Sequence, residues 1–186
     1  MSSKCLVGSF AIIAAFGGIG TAGAGEWAVV KESSTVGFVA DQQGTRFNGR
    51  FATFGATVDF DPGAPESGSI VGTVETATVN TRDHDRDAAL QDRDWFNSAE
   101  HPQARFASES IKKLDDGSFE AAGQLELKGQ TKPATLAFTF DTSGANAKLD
   151  GKLTINRFDF NVGEGWNDTS WVGQNVQVEV KLDLAP

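Results

Sequence analysis

Hydrophobic and polar side chains alternate along most of the chain. From Val176 to Leu184 the two kinds of residue alternate without a break. A period of two places apolar side chains on one face of a β-strand and polar side chains on the other. Turn sequences such as Asp61-Pro62-Gly63 separate the alternating runs. These runs predict roughly eight to ten strands, at residues 27–31, 35–41, 46–51, 56–60, 69–79, 104–108, 119–128, 134–141, 148–155 and 176–184.

The interval between Asn80 and Pro102 interrupts this pattern. Its stretch 83–95 places Ala88, Ala89 and Leu90 among charged residues, which predicts one or two short helices. Helices do not recur between the strands, so the pattern excludes a parallel sheet built from βαβ units. Many antiparallel strands with one apolar face each predict an all-β sandwich or a closed barrel.

The first 24 residues have the pattern of a secretory signal peptide. Lys4 carries the only charge, residues 6–19 are apolar or small, and Ala22-Gly23-Ala24 has the form of a signal-peptidase site. The apolar run is shorter than the ~18 to 20 residues that span a bilayer, which favours a cleaved signal over a retained membrane anchor. We therefore predict a signal peptide at 1–24 and one exported domain at 25–186.

Removal of this segment changes both the cysteine content and the charge. It removes Cys5, so the exported domain has no disulfide, no thiolate nucleophile and no zinc-thiolate site. The net charge of −9 becomes −10, because Lys4 is the one charged residue removed. A surface this acidic repels polyphosphate backbones, which excludes sequence-independent binding to nucleic acid.

The sequence has no recognisable catalytic or metal-binding motif. It lacks a Gly-x-Ser-x-Gly elbow and a glycine-rich phosphate loop. Its two histidines, His84 and His101, do not form a metal-ligand pair. Four aspartates have the spacing of a calcium loop, but Ala88 occupies the position at which that loop needs glycine. We predict no catalytic residue, no metal site and no enzymatic activity. The aspartates are Asp83, Asp85, Asp87 and Asp94.

Arg157 and Asp159 continue the inward parity of Leu153 and Ile155. In unbroken register both charges point into the apolar interior, where an unpaired charge costs several kcal/mol. Three interpretations stay open. Acidic residues including Asp159 pair with Arg157, or Arg157 holds the polar head of a ligand. Alternatively, a bulge turns the neighbouring phenylalanines Phe158 and Phe160 inward.

Five segments of the chain resemble the YceI family, in order and over nearly all of residues 25–186. The resemblance implies an extended, lipocalin-like, eight-stranded antiparallel barrel with one or two short helices at its mouth. It further implies a periplasmic protein whose elongated apolar cavity binds polyisoprenoids, isoprenoid quinones or similar amphiphilic lipids. The segments are TRDHDRDAALQDRDWF (81–96), HPQARFAS (101–108), GQLELKGQTKPATLAF (123–138), LTINRFDFNVG (153–163) and VGQNVQVEVKLDL (172–184).

The resemblance also changes the interpretation of the aromatic residues. From period alone, the rings fill a solid core or line a cavity, since an eight-stranded barrel is wide enough for either. The family favours the cavity, with Leu90 and Phe96 covering its opening. Arg86 and Arg157 are then candidates for contact with a phosphate or carbonyl head group, together with Asp159. The expected lining residues are Phe38, Phe47, Phe51, Phe60, Leu90, Trp95, Phe96, Phe106, Phe138 and Phe140.

The expected partner is thus a lipid, with no other cofactor. We expect a protein that does not span the membrane but exchanges lipid with it, and a homodimer stays open as its oligomeric state. Two alternatives remain from the sequence. One is an envelope hydrolase with an unrecognised acid/base site, and the other is a ligand-free, stress-related interaction protein with a filled core.

Overall fold

The computed structural model describes residues 25–186, whose strands close into a barrel. The predicted signal peptide at 1–24 lies outside the described residues. All pairings between neighbouring strands are antiparallel. The strands are β1 (Glu26–Val29), β2 (Thr35–Gln42), β3 (Thr45–Phe51), β4 (Phe54–Asp59), β5 (Ser69–Glu75), β6 (Val79–Asn80), β7 (Gln103–Lys113), β8 (Phe119–Leu127), β9 (Gln130–Ser143), β10 (Asn146–Asn156) and β11 (Asn175–Ala185).

Three pairs of these strands are consecutive parts of one longer strand. The first pair is β1 with β2, and both pieces pair with β11. The second pair is β3 with β4: β3 pairs with β2, and β4 pairs with β1. The third pair is β5 with β6: β5 pairs with β4, and β6 pairs with β3. Together with β7 to β11 they form eight long strands. The ring closes where β11 pairs with β10 on one side and with β1 and β2 on the other. The predicted eight-stranded antiparallel barrel is confirmed, and its closure removes free sheet edges.

The alternating pattern places the strand residues as predicted. In β8, Phe119, Ala121, Gly123, Leu125 and Leu127 are buried, whereas the residues between them are partly or fully exposed. Apolar side chains therefore face the barrel interior and polar side chains face solvent.

One α-helix, α1 (His84–Gln91), forms in the interval that lacks alternation. It begins at Asp83, whose carboxylate Oδ1 accepts a hydrogen bond from the backbone N–H of Arg86 at 3.1 Å. Leu90 is its buried residue. No helix in residues 25–186 is long and apolar enough to cross a bilayer.

The barrel has two different ends. One end, the closed end, carries the turn between β9 and β10 and the connection between β4 and β5. The other end, the mouth, carries α1, the turn between β2 and β3, and the long connection 157–174 between β10 and β11. Three short 3-10 helices lie outside the strands, at Pro65–Ser67, Thr76–Thr78 and Arg157–Phe160.

Four phenylalanines pack the closed end solidly. The ring of Phe60 lies 4.9 Å from Phe119, 5.3 Å from Phe138 and 4.9 Å from Phe140, measured between centroids, and each contact is edge-to-face. Trp27 adds a further edge contact to Phe140 at 5.5 Å. These five residues are the aromatic cluster. They stabilise the fold and fill the barrel, which leaves free volume only nearer the mouth.

Candidate functional site

An apolar cavity of about 160 Å³ lies inside the barrel, on the mouth side of the aromatic cluster. A single water molecule needs roughly 10–15 Å³ of such a cavity, so this cavity is much larger than an ordinary packing gap. Of the ten residues predicted to line it, seven do so. They are Phe38, Phe47, Phe51, Leu90, Trp95, Phe96 and Phe106.

The other three predicted lining residues, Phe60, Phe138 and Phe140, belong to the aromatic cluster and do not line the cavity. Strand parity indicates which strand residues point inward, but it carries no information about depth along the barrel axis. The expectation that Phe60, Phe138 and Phe140 line the cavity is therefore corrected. The interior is a solid core at the closed end and a cavity at the mouth end.

Small residues keep this part of the barrel open. Gly72 lies between inward-facing Ile70 and Val74 on β5 and pairs with Ala56 and Phe106 on the neighbouring strands. A Cβ atom added at Gly72 would have no atom within 4 Å. The missing side chain therefore contributes to the cavity volume. The sequence analysis missed this position, although a glycine at an inward strand position was the visible signal.

An aromatic wall borders the cavity along β2 and β3. The Phe38 ring contacts Phe47 and Phe51 at centroid distances of 6.1 and 5.9 Å, and Phe51 contacts Phe96 at 6.1 Å. Gly49 makes room for this arrangement, because a Cβ atom there would lie 2.3 Å from the Phe38 ring. The wall presents flat, apolar surface to anything inside the cavity.

A second pocket, the mouth pocket, opens between α1, the β2–β3 turn and the connection 157–174. Its volume is about 340 Å³. Four side chains line both the mouth pocket and the inner cavity, so the two spaces adjoin each other. These shared residues are Phe47, Leu90, Trp95 and Val172.

Arg86 lies in the mouth pocket, as its candidacy for a head-group contact requires. Its guanidinium carbon lies 4.2 Å from the centroid of the Phe47 ring. Nε donates a hydrogen bond to Gln42 Oε1 at 3.1 Å, and Nη2 lies 3.3 Å from Asp83 Oδ2. These contacts use two of its five N–H groups and fix the cation beside the opening.

Arg157 is buried, with 1% of its surface exposed, but it does not pair with Asp159. Strand β10 ends at Asn156, whose Oδ1 accepts a hydrogen bond from Phe158 N at 3.1 Å and starts the 3-10 helix Arg157–Phe160. The register is therefore broken. Asp159 turns to solvent and Phe160 is buried. Of the three interpretations, the pairing of Arg157 with Asp159 is excluded. The register breaks before Arg157, so Arg157 and Phe160 are buried, and the break is a 3-10 helix in place of a bulge.

Five backbone carbonyls accept hydrogen bonds from the Arg157 guanidinium. Nε donates to Gly173 at 3.1 Å, Nη1 to Val162 at 2.9 Å and Gly163 at 3.2 Å, and Nη2 to Val172 at 3.2 Å and to Trp166. Burial lowers the pKa of Arg157 from its ordinary value. With its donors directed at carbonyls, Arg157 holds the connection 157–174 in place, and Arg86 is the head-group candidate that the mouth pocket contains.

Lys128 joins three mouth segments and was not singled out from the sequence. Its Nζ donates to the carbonyls of Asp94 at 3.1 Å and Asn161 at 2.6 Å, and it lies 3.9 Å from a carboxylate oxygen of Glu164. Burial lowers the pKa of Lys128, against the opposing effect of Glu164. In the sequence, the available signal was the position of Lys128 beside Gly129 at a turn. In the structure, both residues adopt positive φ.

Two of the aspartates with calcium-loop spacing have other roles. Asp83 caps α1, and Asp87 Oδ1 accepts hydrogen bonds from the backbone N–H and the hydroxyl of Thr81, both at 2.7 Å. Within residues 25–186, no three His, Cys, Asp or Glu side chains lie close enough together to hold a metal ion.

The fold and site together define a class: closed antiparallel β-barrels with an apolar internal cavity that adjoins a mouth pocket beside a short helix. The family model for the YceI-like domain matches residues 27–184, and the chain belongs to this family. The resemblance seen in the sequence is thereby confirmed.

Known relatives and solved structures support this assignment. A UPF0312 protein of Ectopseudomonas mendocina is 32% identical over 120 residues, which is 61% of this chain and 63%, less than two thirds, of that protein. The crystal structure of Burkholderia cenocepacia BcnA has a TM-score of 0.81 and 33% identity, covering 84% of this chain and 99% of BcnA. A polyisoprenoid binding domain from Saccharophagus degradans shares the fold, with a TM-score of 0.62 and 16% identity over 88% of this chain and 99% of that domain.

Proposed function

We propose that this protein binds one long-chain amphiphilic lipid, a polyisoprenoid, an isoprenoid quinone or a similar molecule. Its apolar chain occupies the inner cavity and its head lies in the mouth pocket. The observation that carries the proposal is the adjoining pair of spaces, one lined almost wholly by apolar side chains and the other containing Arg86, Gln42 and Asp83. An amphiphile has the same division into apolar and polar parts.

The apolar lining supplies the binding free energy. Removing apolar surface from water is worth ~25 cal/mol per Å², so each prenyl unit that enters the cavity contributes without needing a polar partner. The ring faces of Phe38 and Phe51 suit flat, unsaturated chain segments. The Saccharophagus degradans domain, which shares the fold, is described as polyisoprenoid binding, and this supports the same ligand class here.

The mouth pocket favours a head group that accepts hydrogen bonds. Arg86 offers N–H donors, and Asp83 beside it balances the guanidinium charge. A carbonyl or another neutral polar head therefore fits the local charge better than a doubly charged phosphate.

We further propose that the protein acts as a periplasmic carrier. The pattern of residues 1–24 supports export. A carrier would exchange its lipid with a membrane, with no other cofactor, and it would work as a monomer or a homodimer. The cavity lining is almost wholly apolar, and its buried arginine, Arg157, is directed at backbone carbonyls, which supports binding over chemistry on the ligand.

Native mass spectrometry of protein purified from its own host under mild conditions tests the proposal. We expect a bound species with the mass of a single long-chain lipid, recovered by solvent extraction and identified by fragmentation. Repeated preparations containing only ligand-free protein would contradict the proposal. Turnover on ester, phosphate or glycan panels would instead support the hydrolase alternative.

A further inference from the structure

Three large hydrophobic side chains are exposed among residues 25–186, and two of them lie at the mouth. Trp166 is 46% exposed and Trp171 is 52% exposed, whereas Val30, at 38%, lies between β1 and β2, away from the mouth. Residues 163–171, called here the tryptophan loop, carry both indoles. Trp166 lines the mouth pocket and its ring lies 6.2 Å from that of Trp95, which lines the cavity.

The backbone of the tryptophan loop is held in position. The carbonyl of Trp166 accepts a hydrogen bond from Arg157, and the carbonyl of Trp171 accepts one from the backbone N–H of Gln43 at 2.9 Å. Asp168 Oδ1 accepts hydrogen bonds from the N–H and hydroxyl of Ser170 at 2.9 and 2.6 Å, which closes the turn before Trp171. Two indoles thus project from a fixed loop beside the cavity opening, so binding does not have to order the loop backbone.

We propose that the tryptophan loop docks the mouth of the barrel onto the interface of a zwitterionic lipid bilayer. Tryptophan is the side chain that concentrates at this interface, because its ring is apolar and its N–H is polar. Docking here brings the cavity opening against the membrane, so an amphiphile enters or leaves without crossing water. This step rests on the proposed lipid cargo, but the docking itself does not.

The size of the patch favours a bilayer over a protein partner. A buried Trp covers about 150–250 Å², so two half-exposed indoles present roughly 200 Å². A stable protein interface needs about 800 Å² on each side. The other residues of the tryptophan loop are glycine or polar, so they add little apolar area. A bilayer interface sets no such threshold, since insertion of a small apolar group already gives weak, reversible binding.

The charge of the loop selects the kind of bilayer. Glu164 and Asp168 are exposed in it, and the two basic residues that contact it, Arg157 and Lys128, are buried. Both carboxylates are ionised at neutral pH, and hydrogen bonds from the Ser170 side chain and backbone lower the pKa of Asp168 further. Anionic lipid would repel these charges. Docking therefore relies on the indoles and weakens on an anionic surface.

Sedimentation with phosphatidylcholine vesicles tests the proposal on the full exported domain. We expect the wild type to bind, and the double variant Trp166→Ser, Trp171→Ser to bind about 100-fold more weakly, at about tenfold for each indole. The matched control Val30→Ser removes the third exposed apolar side chain and leaves binding within about twofold. Adding phosphatidylglycerol lowers binding at low salt, and added salt restores part of it.

Several outcomes would overturn the proposal: no binding by the wild type, equal binding by the double variant, or stronger binding to vesicles with phosphatidylglycerol. The protein could also form a dimer without vesicles that the double substitution dissociates. The two indoles would then form an interface between copies of the chain, and the membrane-docking proposal would be overturned. Trp171 lines neither the cavity nor the mouth pocket. Native mass spectrometry of Trp171→Ser therefore shows whether the lipid is retained, which separates failure of docking from failure of lipid binding.

Discussion

Phenylalanine has two roles in this barrel: Phe60 packs the core, and Phe47 lines the cavity. Phe60 is 1% exposed and contacts three other rings in the aromatic cluster, whereas Phe47 is partly exposed and lies between the cavity and Arg86. We expect Phe60→Ala to lower the free energy of unfolding by about 3–5 kcal/mol, because it leaves a large hole in a packed core.

Phe47→Ala serves as the matched substitution at the mouth. It should lower the free energy of unfolding by no more than about 1.5 kcal/mol, because the ring is only partly buried, while it weakens retention of lipid. Urea unfolding and the lipid-bound fraction in native mass spectra measure the two effects. A larger stability loss at Phe47 than at Phe60 would contradict this division of the interior.

Arg157 is the residue whose assigned role differs most between the sequence analysis and the structure. Five carbonyls depend on its guanidinium, so Arg157→Ala leaves buried acceptors without a donor. We expect a loss of about 3–5 kcal/mol in the free energy of unfolding, and a smaller loss for Arg157→Lys, which keeps the charge but has fewer donors. Chemical denaturation of both variants tests this. Unchanged stability together with weaker lipid binding would contradict this structural role and would indicate that Arg157 contacts the lipid head group.

At the scale of elements, the carboxylate of Asp87 ties α1 to the segment that follows β6. Asp87 accepts two hydrogen bonds from Thr81, at the end of β6. We expect Asp87→Ala to speed amide hydrogen exchange across His84–Gln91 and to lower stability by about 1.5–3 kcal/mol, because the buried donors of Thr81 lose their acceptor. Since Leu90 separates the mouth pocket from the cavity, a detached helix should also release lipid faster.

Asp85→Ala is the control on the same helix. The Asp85 side chain is fully exposed and its contact is with neighbouring His84, at 3.6 Å. Its removal should change stability by about 0.5 kcal/mol, as expected for a first-turn carboxylate, and leave exchange in the barrel strands unchanged. If both substitutions accelerated exchange in α1 equally, the helix would not depend on the Asp87–Thr81 contact.

The elements also show what sequence reasoning can reach. Alternation predicted the strands and their inward faces, because a period of two is a direct consequence of strand geometry. It left a sandwich and a barrel open, and the eight-stranded barrel was predicted from the resemblance to the YceI family. Alternation extended the last inward face of β10 through Arg157 and Asp159, although the strand ends at Asn156. That end depends on a side-chain cap from Asn156 and on carbonyls of residues 162–173 that bind Arg157. Contacts between distant segments leave no period in the sequence.

The same limit applies to the candidate site. Parity identified the inward phenylalanines, but the split between aromatic cluster and cavity depends on where Gly72 and Ala56 meet on adjacent strands. Arg86 was placed at the mouth through family resemblance, and its contacts with Phe47 and Gln42 bear out the position but not the lipid contact. Lys128 was missed because its partners are backbone carbonyls.

For the whole molecule, the account depends on the cavity as the place where lipid binds. Gly72→Phe directs a ring into that space, where a Cβ atom meets nothing within 4 Å, so the barrel should fold with a filled cavity. Val71→Phe adds the same ring at the next position of β5, on the outer face. Both variants add one phenylalanine ring to β5, but only Gly72→Phe reduces the cavity volume.

Native mass spectrometry of these two variants, prepared side by side from the native host, is the most direct test. The account predicts that Val71→Phe carries the lipid adduct at the wild-type level, while Gly72→Phe folds but loses at least about nine tenths of it, because the ring occupies the volume that the chain needs. A folded Gly72→Phe protein that retains the full adduct would contradict a lipid site inside the barrel.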